Sequence, residues 1–278
     1  MKIGTLDITN CKIGSAQVNE VRIGSTLVWQ FSSVDPDAQA FITAAGITDL
    51  TQQTAINQLV LDLKGYSIWS KMKALYPFVG GTATTHKFNL KNPLDTNAAY
   101  RLVFSGGITH NSNGITGNGT NGFADTFLND QTTLDINNKH ISMYQRNILS
   151  TASGSSMGIN NQNRFYLNFS GSNYSALGMA QAPYAIVAPQ KGMFTMSKII
   201  SGEFKYYQNA LAATTRTGVN VAQNEKYFIL ACNAVGIGFD YSLANLSFVS
   251  LGDGFSATEV ANLNTSVTTF QTSLSRNV

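Results

Sequence analysis

After Pro77 the chain breaks into short apolar runs, each set off by a cluster of Gly, Asn, Ser and Thr. Runs of that length, punctuated that often, suit strands joined by turns. The expected strands are Lys87–Asn89, Tyr100–Phe104, Phe123–Thr126, Ile141–Gln145, Ser156–Ile159, Arg164–Phe169, Phe194–Ile200, Glu203–Gln208, Tyr227–Asn233 and Asn245–Leu251. So many short strands predict an antiparallel β-sandwich. Composition agrees. Only 12% of the 278 residues are charged, about half the usual share. The polar surface falls to Asn, Thr, Ser and Gln, as in loops that hydrogen-bond rather than carry charge.

Helical patterns flank this body. Asp35 can cap a helix and Pro36 suits its first turn; Gly46 can end it. Thr48 or Asp49 caps a second helix, with Ile56, Leu59, Val60 and Leu63 on its apolar face and Gly65 at its close. A third helical stretch is expected over Ser67–Leu75, from the spacing of Ile68, Met72 and Leu75. At the other end, Ser256 and Glu259 form a capping box. Val260, Leu263, Val267, Phe270 and Leu274 then make an apolar stripe that must pack on the sandwich or on the early helices.

The first thirty residues are different again. KIGTLDI, KIGSAQV and RIGSTLV begin at Lys2, Lys12 and Arg22, a period of ten. Each unit has a basic residue, Ile and Gly, which fits short strands joined by tight turns. Such strands bury little and are marginal alone. They must lean on the rest of the chain, a sister subunit or a larger particle. The residues expected to make that contact are Ile3, Ile13, Val18, Val21, Ile23, Leu27, Val28 and Trp29. The fold class read from the residues is therefore mainly β. A β-repeat module covers 1–31, a helical collar or linker 32–77, and a sandwich 78–278 that ends in a helix over 256–274.

Several function classes are disfavoured. The net charge is +3 with scattered basic residues, so no nucleic-acid footprint is drawn. The start lacks a signal-peptide pattern, and no apolar stretch approaches the ~20 residues that cross a bilayer; the chain is expected to be soluble as made. Cys11 and Cys232 are expected to be free or buried. Gly117–Gly122 matches G-x-G-x-x-G, but a strand pattern follows where a dinucleotide site needs a helix. Gly154–Gly158 matches G-x-S-x-G, again before a strand and with no later histidine. Glutamates stand only at 20, 203, 225 and 259, and no acidic pair has the spacing of a glycoside hydrolase. No catalytic residue is expected. His86, His110 and His140 read as isolated, so no zinc site is expected.

Two kinds of site stay open. Calcium accepts scattered carboxylates and carbonyls, and Asp125, Asp130 and Asp253 are the candidate ligands. A glycan site needs an aromatic platform with amides on loops. The candidates are Asn111, Asn161, Tyr166, Tyr174 and Tyr184.

The stretch DPDAQAFITAAGITDLTQQTAINQLVLDLKGYSIWSKMKALYPFVGGTATTHKFNLKNP resembles a segment of structural proteins of tailed phages, notably those of Bacteroides and the crAss-like group. NGITGNGTNGFADTFLN and LSFVSLGDGFSATEVANLNTSVTTFQTSLSRNV resemble parts of the concanavalin A/laminin G-like jelly rolls attached to it. VNEVRIGSTLVWQ is similar to short N-terminal modules of virion proteins. The resemblance implies a virion component, made in the host cytoplasm, that acts as a head or tail fibre or appendage. It implies a homo-oligomer, with a trimer favoured, in contact with capsid or tail proteins. Residues 1–31 would be its plug. The alternative is an adhesin that grips host surface polysaccharide, and a depolymerase is the weakest reading. No nucleic-acid or membrane partner is implied.

Overall fold

A computed structural model of the chain describes, with side chains, residues 34–149, 154–160, 163, 191–211, 215–219, 221 and 223–278. It also describes the backbone of strand residues within 2–30, 164–184 and 212–214. Two compact units emerge, Met1–Asp35 and Pro36–Val278. In the first, β1 (Lys2–Ile3) pairs with β2 (Leu6–Asp7), β3 (Lys12–Ile13) with β4 (Ala16–Gln17), and β5 (Glu20–Ile23) with β6 (Thr26–Gln30). The registers Ile3–Leu6, Ile13–Ala16 and Ile23–Thr26 repeat every ten residues, as the sequence does. Gly4-Thr5, Gly14-Ser15 and Gly24-Ser25 separate the paired strands in sequence.

The second unit opens with α1 (Pro36–Ala45) and α2 (Leu50–Gly65). Asp49 caps α2 by accepting the Gln52 N–H at 2.8 Å. The stripe Ile56, Leu59, Val60 and Leu63 is buried throughout. The third expected helix is not found. A short 3-10 turn, Trp69–Lys71, gives way to β7 (Met72–Tyr76), which pairs with the last strand. Ile68, Met72 and Leu75 do bury, but β7 is covered on both faces, so an apolar run without alternation reads equally well as helix.

Next come α3 (Ala83–His86), β8 (Val103–Ser105), β9 (Thr109–Asn111), β10 (Gly114–Thr116), β11 (Phe123–Asn129) and α4 (Asp130–Thr133). Lys87–Asn89 is not a strand: Asn89 makes only an isolated bridge to Asn92. The expected strand at Tyr100 starts three residues later, because Tyr100 is left-handed (φ +58°) and closes a 3-10 turn. The sandwich then completes with β12 (Lys139–Gln145), β13 (Met157–Ile159), β14 (Asn163–Phe169), β15 (Ser172–Leu177), β16 (Ala182–Tyr184), β17 (Gly192–Ile200), β18 (Glu203–Gln208) and β19 (Leu211–Thr217). Last are β20 (Lys226–Ile229), β21 (Cys232–Ala234), β22 (Ile237–Phe239), β23 (Asn245–Gly252) and α5 (Ala257–Ser273). The single strand expected over Tyr227–Asn233 is split, with Leu230 left-handed (φ +68°) at the break.

The first sheet runs β19-β18-β17-β12-β23-β10-β9, with β7 also on β23; the second runs β16-β15-β14-β13-β20-β11-β8, extended by β21 and β22. One core lies between the sheets. Ile141, Met143, Phe194, Met196, Phe204 and Val249 of the first sheet meet Ala124, Leu128, Met157, Tyr227 and Ile229 of the second. A second core joins the other side of the first sheet, through Tyr144, Met193, Tyr207 and Phe248, to α1, α2 and α5. The helices of 36–65 are therefore one layer of the body rather than a separate collar. The capping box of α5 forms as its sequence requires, and Val260, Leu263, Val267 and Phe270 are its buried stripe.

Candidate functional site

The helices cover the first sheet; on the second sheet, among the described residues, the side of β11 away from the core is half-exposed. On β11, Ala124, Thr126 and Leu128 point inward, while Phe123, Asp125 and Phe127 are half-exposed on the other side. Phe123 stacks on Phe228 of β20 with ring centroids 4.4 Å apart, and Tyr241 lies 6.4 Å from it. The Tyr241 hydroxyl donates to the Gly238 carbonyl at 2.6 Å, which fixes the ring against the β21–β22 hairpin. Lys226 Nζ sits 3.3 Å from Asp125 Oδ2 and 4.6 Å from the Phe127 ring centre. Val235 and Ile237 stand exposed on the hairpin. Partly exposed aromatic rings beside an ion pair can stack on the apolar face of a sugar ring and hydrogen-bond its hydroxyls. None of these rings was singled out in the sequence. The signal was there: the alternation F-A-D-T-F-L-N puts both phenylalanines on the face opposite the core.

The residues expected to bind glycan fare differently. Asn111 is exposed, but its Oδ1 accepts the Asn113 N–H at 2.8 Å, so it shapes the β9–β10 turn. The turn needs Gly114, which is left-handed (φ +110°) and would set a Cβ 2.1 Å from the Leu246 carbonyl oxygen. Asn161 lies outside the described residues. In the ladders Tyr166 stands opposite Tyr174, and Tyr184 opposite Asn173; their side chains lie outside the described residues. So do Val18 and the side chains of Ile3, Ile13, Val21, Ile23, Leu27, Val28 and Trp29. The G-x-G-x-x-G match is a loop that leads into β11. Asn118 Oδ1 accepts the N–H groups of Thr120, Asn121 and Gly122 there, and no helix follows.

Asp125, Asp130 and Asp253 are not brought together, and each faces a lysine instead of a cation. Asp253 lies 3.4 Å from Lys73, and Asp125 pairs with Lys226. Among the described residues no three His, Cys, Asp or Glu side chains converge as metal ligands.

Asp130 is the surprise. It opens α4 inside the body, 2% exposed. Its Oδ1 accepts from Lys139 Nζ at 2.6 Å and from the Tyr227 hydroxyl at 2.8 Å. Its Oδ2 accepts from Asn163 Nδ2 at 3.0 Å, and Asn163 Oδ1 accepts from the same Lys139 Nζ at 3.1 Å. Lys139, Asn163 and Tyr227 are all fully buried. Burial lowers the Lys139 ammonium's pKa, against the opposing pull of Asp130, and raises that of Tyr227. Lys198, also buried, stands directly across the ladder from Lys139. Burial and the charge of Lys139 lower its pKa to about 8. The spacing of Asp130 in sequence did not suggest this role. The legible clue was Lys139 itself, which shares the core-facing side of β12 with Ile141 and Met143.

The histidines are not isolated either. His86 Nδ1 and His110 Nδ1 lie 3.1 Å apart, 24 residues distant in sequence. His140 Nδ1 donates to the Asp253 carbonyl at 2.6 Å, and its ring stacks on Phe255. Cys232 is buried, as expected, and its thiol points at the Asn160 carbonyl, 3.6 Å away.

No family model matches the chain, and no curated protein matches it. Solved structures do. Domain 4 of AbnA, a GH43 extracellular arabinanase from Geobacillus stearothermophilus in complex with arabinotriose, is 15% identical with a TM-score of 0.43, over 70% of this chain and 98% of that one. The botulinum neurotoxin serotype D binding domain is 10% identical with a TM-score of 0.46, over 70% of this chain and 51% of that one. Trypanosoma rangeli sialidase in complex with sialic acid is 11% identical with a TM-score of 0.45, over 68% of this chain and 32% of that one. The sandwich assignment rests on this chain's own ladders.

Proposed function

We propose that the chain is a non-catalytic display protein of a tailed-phage particle. Its first unit fixes it to neighbouring capsid or tail proteins, and its jelly-roll body faces outward. The observation that carries this reading is the set of three ladders in residues 2–30. Among the described residues each is a separate two-stranded ladder, and all three share one register. Isolated two-stranded ladders are marginal in water. A unit made of three of them gains burial when strands or side chains of another molecule, including a second copy of this chain, close on it. The sequence resemblance to virion modules supports the same assignment, and a homo-oligomer, with a trimer favoured, belongs to it. Deleting residues 1–31 is expected to leave a body with unchanged far-ultraviolet circular dichroism that no longer joins assembling particles. Normal incorporation of the truncated chain defeats the proposal.

A second reading, that the body grips a host glycan, is favoured by the half-exposed side of β11 with Phe123, Tyr241 and the Asp125–Lys226 pair. Replacing Phe123 or Tyr241 by Ala is expected to weaken polysaccharide binding by roughly tenfold, the loss of one ring contact. A glycan array in which the intact protein binds nothing removes this reading and leaves the first untouched.

A further inference from the structure

The buried group around Asp130 is a closed triangle of three different functional groups. Lys139 opens β12 in the first sheet, Asn163 opens β14 in the second, and Asp130 bonds to both. Lys139 Nζ lies 3.1 Å from the oxygen of the Asn163 carboxamide. The amine and the amide carbon are therefore near neighbours. Asp130 meets the amine with one oxygen (2.6 Å) and the amide nitrogen with the other (3.0 Å). A salt bridge between Lys139 and Asp130 needs no amide placed in this way.

We propose that Lys139 and Asn163 become joined by an intramolecular isopeptide bond, with Asp130 carrying the protons. Asp130 takes a proton from the ammonium, and the freed Nζ lone pair attacks Asn163 Cγ to form the new C–N bond. Asp130 gives that proton to Nδ2 through its other oxygen; the Cγ–Nδ2 bond breaks, ammonia leaves, and Nζ sheds its second proton through Asp130 to the departing ammonia, which goes as ammonium. An amine and a primary amide become a secondary amide and ammonia, with no oxidant or added reagent. The surroundings favour each part. Burial of Lys139 disfavours its charged form, which frees the nucleophile. The three groups are held in contact before reaction, the condition for a high effective concentration. Tyr227 donates to Asp130 Oδ1 and orients the carboxylate. The dry interior protects the product from hydrolysis. Because β12 and β14 belong to different sheets, the bond would fasten the two layers of the sandwich across their core.

Peptide mapping of the purified full-length protein tests this. Trypsin has no site in 102–146 apart from Lys139 and none inside 147–164. The bond therefore predicts that 102–146 and 147–164 are recovered as one linked species, uncut at Lys139. The intact chain is lighter than its sequence by one ammonia. The variant Asp130→Asn, close in shape, is expected to keep the full mass and release the two segments separately. Recovery of wild-type 140–146 and 147–164 as free peptides overturns the proposal, whatever the variant does. So does an ammonia deficit that maps to a cyclised Asn-Gly step, such as Asn113-Gly114 or Asn121-Gly122, without linked peptides. A linked species that persists in the Asp130→Asn protein overturns the proton-carrying role given to Asp130. If that variant does not fold, the wild-type map decides alone.

Discussion

Acidification from pH 7 to about pH 4.5 is expected to remove roughly 5 kcal/mol of folding stability, close to the whole stability of many domains. Two histidines are responsible. His86 is 2% exposed and His140 is fully buried, and burial lowers the pKa of each from 6.5 to about 3. The charges of His110 and Arg276 push His86 in the same direction. Around His140, Lys71 lowers the value further, while the Asp253 carbonyl and Glu259 oppose it. The unfolded chain therefore binds more protons than the folded one between about pH 6.5 and pH 3. Stability is full above that window and falls as the pH drops through it.

The geometry explains why the folded state refuses the proton. Among the described residues His86 Nε2 has no hydrogen-bond partner. A buried lone pair left unpaired is less costly than a buried N–H, so the neutral ring carries its hydrogen on Nδ1 and donates to His110. A second proton would place an N–H where nothing accepts it. In His140 the Asp253 carbonyl fixes the hydrogen on Nδ1, so Nε2 accepts from the Ser250 hydroxyl at 3.1 Å. Urea denaturation at the two pH values measures the loss. Replacing His86 by Gln is expected to lessen the difference by about half. Equal midpoints at both pH values would contradict this account.

Neither buried histidine is evident in the residue string, and the reason is general to this molecule. Local grammar was readable. The cap of α2, the capping box of α5, the alternation along β11 and the tenfold register of residues 2–30 all depend on neighbours within about five positions. What escaped depends on distant partners. Residues 109–116 hold few apolar side chains, yet they form β9 and β10 because β23 offers a free ladder edge to pair with. Ser67–Leu75 looked helical because its three periodic residues do bury, although Ile68 does so ahead of a 3-10 turn and Met72 and Leu75 on a strand closed on both faces. Asp130 and Tyr227 are 97 positions apart, and His86 and His110 are 24. Spacing along the chain says nothing about such meetings. A charged or titratable residue on the core-facing side of a strand says that one must occur, and Lys139 was that signal.

Arg276 carries the second large effect. Replacing it by Ala is expected to cost roughly 3–5 kcal/mol, through unsatisfied carbonyls and the space vacated together. Its guanidinium is 2% exposed and donates to the carbonyls of Phe78 (2.8 Å), Pro77 (3.0 Å), Ser247 (3.2 Å) and Ser112 (3.4 Å), and to Gln271 Oε1 at 2.8 Å. These groups belong to the segment after β7, to β23, to the β9–β10 turn and to α5. One side chain therefore ties the C-terminal helix to β23 and to the chain beside the two strands, β7 and β10, that pair with it. Its plane lies near the Phe270 ring, 5.3 Å from the centroid. Burial and the nearby Arg146 charge lower its pKa to about 9, against the opposing effect of Tyr144, so it remains cationic at neutral pH, its charge spread over five carbonyl-type oxygens. Lysine keeps the charge but lacks the planar fork, so Arg276→Lys should recover only part of the loss. The measurement is the urea midpoint at constant slope. An Arg276→Ala protein as stable as the wild type would mean that those carbonyls find water or one another once the guanidinium is gone, and that the C-terminal helix is held by its apolar stripe alone.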